Sequence, residues 1–242
     1  MNQKISSKRR KSKFFLVLGF IGLFAVLVGF LKTFIVPVSK GDFKAPTIIF
    51  IHGFFATAWV VLFVVQSFLI QKNKYKTHMT LGYLGLAVAL GAGVTIIPAG
   101  FEQVKRELGL GFGEIAISGI VGVFTTAIMY LSLVAMGLWY RKNGAAHKRL
   151  MALATLVLLW PAWFRFRHYF PSVPRPDIWF AVVLADSFII LGILWDKWTN
   201  KKVHWTFLYL GLLIIAEHVF EVLTFDSEPW RWIANCLYNL FI

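Results

Sequence analysis

From FFLVLGFIGLFAVLVGF at residues 14–30 onward, stretches of about 20 residues with scarcely a charge recur along the chain. A helix that long rises roughly 30 Å at 1.5 Å per residue, the thickness of bilayer hydrocarbon. Length, flanking charge and Gly/Pro punctuation predict seven such helices, at about 14–37, 46–70, 78–100, 115–140, 146–164, 177–195 and 204–225. The expected fold class is all-α: a polytopic membrane bundle of seven transmembrane helices forming one domain over 14–225. Hydrophobic residues make up 58% of the chain and charged residues 15%, too apolar a mixture for an ordinary soluble domain. The first run has no small-residue cleavage pattern after it and reads as a retained span rather than a signal peptide. The single cysteine, Cys236, excludes an internal disulfide and any multi-thiolate metal site.

A net charge of +14 raises the question of nucleic acid, but the cations follow the membrane topology. With the N-terminus cytoplasmic, the inner segments are MNQKISSKRRKSK, QKNKYK, RKNGAAHKR and DKWTNKK, holding 16 of the 25 Lys and Arg residues. That is the positive-inside pattern, and it puts the C-terminus outside. Cations spread over four short segments do not make a nucleic-acid face. Residues 1–13 read as a basic cytoplasmic segment. Residues 226–242 read as an interfacial amphipathic tail, with Trp230, Ile233, Leu237 and Phe241 on one face.

An ionisable side chain in hydrocarbon costs about 2.5–3.5 kcal/mol on the insertion scale, so each one is a functional candidate. The last span carries three within AEHVFEV: Glu217, His218 and Glu221. From helical rise, His218 lies about 21 Å beyond His204, leaving it about 10 Å below the outer surface; His52 lies about 9 Å below it. The two are level. His52, Trp59 and Gln66 form a stripe at seven-residue spacing. On the inner side His78, His147 and His204 begin the third, fifth and seventh helices, and Asp196 ends the sixth. Asp186 falls mid-helix, beyond snorkelling reach of either interface, and needs an internal partner or a proton.

Two histidines on different helices at one depth suit haem b, provided the second ring nitrogen of each finds an acceptor. On this reading His52 and His218 hold an outer haem, with Glu217 or Glu221 accepting from the second ring nitrogen, and His78 and His147 hold an inner one; Asp186 assists proton movement, and Asp186, Glu217 and Glu221 are the candidate catalytic residues. A non-haem centre is the alternative: His78, His147, His204 and Asp196 are suitable ligands for Zn or Fe, and an open position would permit chemistry on a lipid. Arg165 and Arg167 are candidates to neutralise Glu217 or Glu221, or to bind lipid phosphate. Ser118, Gly119, Gly122, Thr125 and Thr126 read as close helix packing.

Through IHGFFATAW, Gln66, HMTLGY, HKRLMALAT and the D…KVHW pair, the chain resembles a group of uncharacterised bacterial integral-membrane proteins of similar length, over about residues 45–210. In histidine placement it is distantly similar to the di-haem transmembrane cytochromes b of the ascorbate-reducible class, which implies histidines on neighbouring helices clamping two haems. Helix number and the inner histidine group are also similar to the seven-helix zinc hydrolases that include alkaline ceramidases, although the last span lacks their HxxxH. The resulting expectation is a bacterial inner-membrane protein that binds haem or a redox metal and exchanges electrons with a quinone or another lipid-phase partner. Its alternatives are a metal-dependent lipid-modifying enzyme and a non-catalytic subunit of a larger membrane complex. Membrane lipid is an expected partner in every case, and nucleic acid in none.

Overall fold

The structure, a computed structural model, describes residues 13–241, so the basic segment read at residues 1–13 lies outside it except for Lys13. Eight helices make up the described residues: α1 Phe14–Ser39, α2 Thr47–Gln71, α3 Tyr75–Gly109, α4 Glu114–Lys142, α5 Gly144–His168, α6 Asp177–Asn200, α7 Thr206–Thr224 and α8 Glu228–Leu240. The first seven are long and apolar enough to cross a membrane. The chain is a multi-pass membrane protein. In lipid each backbone amide has to be satisfied within its own segment, which is why runs so rich in β-branched residues are helical here despite their propensity in water.

α5 is the axis of the bundle. Of its most apolar window 61% is buried, against 22–44% in the other spans. It packs on α1, α2, α4, α6 and α7, while α2 leans on α1 and α3, and α7 on α5 and α6. Small side chains permit this: Ala146, Ala152 and Ala154 are fully buried along α5, and a Cβ built on Gly29 of α1 would overlap the Ala162 carbonyl oxygen. Without a hydrophobic drive between helices in lipid, such backbone-close packing is what holds spans together.

The ends of the spans meet at two levels. At the face where α1 begins, Phe14 stacks on Trp195 at 4.6 Å and Tyr140 meets Trp205 at 5.6 Å. At the opposite face the Tyr169 hydroxyl donates to the Val28 carbonyl at 2.8 Å, and Lys32 Nζ donates to the His168 carbonyl. We refer to these as the N-terminal face and the opposite face.

Two elements differ from the sequence expectation. α3 continues nine residues past the expected stop at residue 100, straight through Pro98. Its extension is held by Lys105–Glu102 and Gln103–Glu107 contacts one turn apart, and by Phe101 and Val104 buried in a second apolar cluster. That cluster also receives α8. Trp230 and Ala234 are buried in it, Tyr238 and Phe241 stack near Phe101, and the Trp230 indole N–H donates to the Ser118 carbonyl at 2.9 Å. Ile233 is exposed with Trp232 instead of sharing the stripe. At about 100° per residue, positions 234, 237 and 241 lie within about 40° of 230 around the helix and position 233 about 60° from it. The tail therefore has an inward face docked on α3 and α4 rather than resting on lipid alone.

Candidate functional site

The best-defined pair of candidates is His78 with His147. Asn143 caps α5, its side-chain oxygen accepting from the amides of Ala145 and Ala146 at 3.1 and 3.2 Å. The cap fixes the register of the first turn and sets His147 against the end of α4, where its Nδ1 bonds the Gly137 carbonyl at 2.8 Å. A carbonyl only accepts, so this nitrogen carries a proton, and it is Nε2 that has a lone pair to offer in the neutral ring. His78, in the first turn of α3, puts its ring 6.3 Å from that of His147, the planes nearly perpendicular at 86°. Its Nδ1 is buried with no hydrogen-bond partner, and so is Oε1 of Gln66, whose backbone lies beside the same ring. His78 and His147 would be the residues to hold a redox metal or haem iron here, a group that would supply one-electron chemistry. Anchoring one ring nitrogen on a backbone carbonyl is how metal-ligating histidines are usually oriented.

His204 and Asp196 do not join them. Asp196 is fully buried and paired with Arg149, whose Nε donates to Oδ2 at 2.8 Å while Nη2 donates to Oδ1. Oδ1 also accepts from Asn200 Nδ2 at 3.1 Å, and Oδ2 from the His204 backbone N–H at 3.0 Å. Four donors fill the carboxylate's lone-pair sites. The His204 ring turns to its own loop: its Nδ1 accepts from the Thr206 amide at 3.3 Å and lies 2.9 Å from the Thr206 hydroxyl. Burial, then the positive charge of Arg149, lowers the His204 pKa, so the ring is neutral with its proton on Nε2. The expected centre of His78, His147, His204 and Asp196 is thus divided into a histidine pair and an ion-pair network. Among the described residues no group of three or more His, Cys, Asp and Glu side chains is arranged to hold a metal ion.

In the half of the bundle nearer the opposite face, His218 is buried and its Nδ1 bonds Asp186 Oδ1 at 2.8 Å. This is the internal partner that the depth of Asp186 demanded. α6 opens with a π-helical stretch, Asp177–Leu184, and returns to α-helix at Ala185, immediately before Asp186. Such stretches change the register of the residues after them and recur at functional sites. On the other side of the ring, Nε2 is 3.9 Å from Glu217 Oε2. That oxygen and Asp186 Oδ2 are both buried without a hydrogen-bond partner. Glu221 packs its carboxylate where α4 has Gly122; a Cβ there would overlap Oε1. Gly122, read from sequence as a helix-packing position, makes room for a carboxylate.

His52 does not share this site. Its Nδ1 lies 3.0 Å from Thr95 Oγ1, and Thr95 donates its own hydroxyl proton to the Gly91 carbonyl at 2.6 Å. His52 must therefore be the donor to Thr95. His52 is on α2 and His218 on α7, helices without substantial mutual packing, and each has its own partner. The expected outer haem between them is not assembled. Of the stripe, Trp59 donates to Thr155 on α5 at 3.1 Å, and the backbone of Gln66, not its side chain, meets the His78 ring. Arg165 and Arg167 use backbone carbonyls and aromatic faces, Pro161 with Phe30 and Phe164 with its own ring, rather than Glu217 or Glu221.

Two residues that matter here were not singled out from the sequence. Arg149, counted among the cations of an inner loop, is buried on the inward side of α5; the signal was its position two residues after His147, already inside the helix. Thr95 gave no signal beyond being a hydroxyl in an apolar run. Comparison with protein-family models, curated proteins and solved structures returns no match to this chain.

Proposed function

We propose that this protein is a membrane redox protein in which His78 and His147 hold haem iron or another redox metal near the N-terminal face. The supporting observation is the pair of rings from different helices at 6.3 Å, one of them fixed by its Nδ1 bond to the Gly137 carbonyl. A bound haem or redox metal would supply one-electron chemistry there. The chain supplies its orientation: the Asn143 cap fixes His147, the short α4–α5 connection fixes Gly137, and α3 brings His78 from the neighbouring helix. The partner in electron exchange would be a quinone or another lipid-phase molecule, since both rings belong to membrane-spanning helices. The Asp186–His218 pair with Glu217 and Glu221 forms a separate run of groups able to pass a proton in the other half of the bundle. The cation bias supports a cytoplasmic N-terminal face, and the proposed location is the bacterial inner membrane.

A second reading is favoured by one observation, the Asp186–His218 bond at 2.8 Å. A carboxylate holding an imidazole is the arrangement of a general base, here among lipid-facing helices, so acid–base chemistry on a lipid is the competing activity. The absorption spectrum of protein purified from haem-replete cells separates the two, combined with metal analysis. A Soret band or stoichiometric redox metal supports the first; the absence of both removes it and leaves the second.

A further inference from the structure

Asp186, Glu217, His218 and Glu221 gather three carboxylates and one imidazole inside the bundle, and their charges do not balance. Asp186 and His218 share a hydrogen bond at 2.8 Å with side chains 4% and 7% exposed, and Glu217 and Glu221 stand one turn apart on α7 beside them. Fully ionised, the group carries three negative charges against one positive. Among the described residues no Lys or Arg is paired with any of the three carboxylates: Lys105 pairs with Glu102, Arg149 with Asp196, Arg175 with Asp177, and Arg231 with Asp226 and Glu114. Arg165 is tied to the Pro161 carbonyl and the Phe30 ring. Like charges one helical turn apart repel, and lipid screens them far less than water does.

Two oxygens of the group also lack donors. Asp186 Oδ2 and Glu217 Oε2 are buried without a hydrogen-bond partner, and His218 Nε2, at 3.9 Å from the latter, is beyond hydrogen-bonding reach. Protons alone would cancel the charge, but each carboxyl O–H so formed is one more buried donor in need of an acceptor. Among the described residues no three His, Cys, Asp and Glu side chains are arranged to hold a metal ion. An alkylammonium group meets both needs at once, with one positive charge and three N–H donors.

The group is reached from the bilayer. α4 and α7 have little mutual packing, and where the Glu221 carboxylate meets α4 the wall is Gly122, which has no side chain. One turn nearer the opposite face, a Cβ on Gly119 would meet nothing within 4 Å. The Glu217 side chain is 22% exposed, and Leu213, Phe220 and Leu223 are exposed on the same helix. A head among the carboxylates leaves an apolar tail to lie along side chains that already face lipid. We propose that Asp186, Glu217, His218 and Glu221 bind the ammonium head of an amphiphilic primary amine that enters from the bilayer between α4 and α7. The site rests neither on a redox group at His78 and His147 nor on catalysis by the Asp186–His218 pair.

The test uses the full-length protein in a neutral detergent, with thermal unfolding followed against three amphiphiles of one chain length: dodecylamine, dodecyltrimethylammonium and dodecanol. Dodecylamine, cationic at neutral pH, is expected to raise the Tm of the wild type at concentrations where the other two, one lacking N–H donors and the other lacking charge, do not. In Glu217→Gln/Glu221→Gln, which keeps side-chain volume, the concentration needed rises roughly 10-fold to 100-fold through the loss of charge-assisted hydrogen bonds. Glu228→Gln, at an exposed position on α8, keeps the response. A second measurement needs no variant: a carbodiimide modifies protonated carboxyls in apolar surroundings, and dodecylamine is expected to protect Glu217 and Glu221 of the wild type, read by peptide mass spectrometry. Equal Tm shifts from the three amphiphiles, an unchanged response in the double Gln variant, or carbodiimide modification that dodecylamine does not slow would each overturn the proposal.

Discussion

Asp196 accepts from four donors at once, and among the described residues Arg149, its principal partner, is paired with no other carboxylate. Breaking such a pair on one side leaves a buried charge uncompensated. Asp196→Ala is expected to cost about 3–5 kcal/mol, read as a large fall in Tm, whereas Arg149→Met together with Asp196→Leu recovers most of it. A single variant as stable as the wild type would contradict that account. Asp226 behaves differently because it lies at the surface. Hydrogen bonding from Arg231, then from Ser118, holds its carboxyl below the usual carboxylate range. With the folded pKa below the unfolded one, its contribution is fully present above about pH 4 and is lost as pH falls through the folded value. Proteolysis of the C-terminal helix should therefore accelerate in acid, and Asp226→Asn should give the acid rate at neutral pH with little further pH dependence. An unchanged rate in that variant would show that α8 is held by Trp230 packing alone.

At the scale of the helix, contact in lipid depends on how closely backbones approach. Gly29 faces the Ala162 carbonyl with no room for a Cβ, while Gly53 on α2 has nothing within 4 Å of one. Gly29→Ala is expected to destabilise the α1–α5 contact by about 1–3 kcal/mol and Gly53→Ala to be neutral or better, both measured by thermal unfolding in detergent. The number and approximate limits of the spans were legible because a run of apolar residues has only one spanning solution in lipid. Depth was legible too, since rise per residue is fixed, and it correctly levelled His78 with His147. Azimuth was not. Which side of α7 faces which helix depends on packing among all seven spans, so His218 was matched by depth to His52 when its partner was Asp186 on α6. The length of α3 was misjudged for a related reason: punctuation and flanking charge mark the end of the apolar run near residue 100, but docking of Phe101 and Val104 under α8 carries the helix on.

For the whole molecule, orientation and bound chemistry are the two questions the fold poses. Seven spans put the chain ends on opposite sides, and the cation bias predicts that α8 is outside the cell. Cys236 is exposed on α8 and is the only cysteine, so a membrane-impermeant maleimide should label intact cells. Labelling that requires permeabilisation would invert the topology. The redox claim depends on two rings at one level of the bundle, contributed by α3 and α5 and oriented by a cap and a carbonyl. It is tested most directly by reduced-minus-oxidised absorption spectra, with metal content, of the wild type beside His78→Ala, His147→Ala and His204→Ala. The account predicts a Soret band or bound redox metal in the wild type and in His204→Ala, lost in His78→Ala and His147→Ala. A wild type with neither, or a signal that survives loss of both His78 and His147, would contradict it.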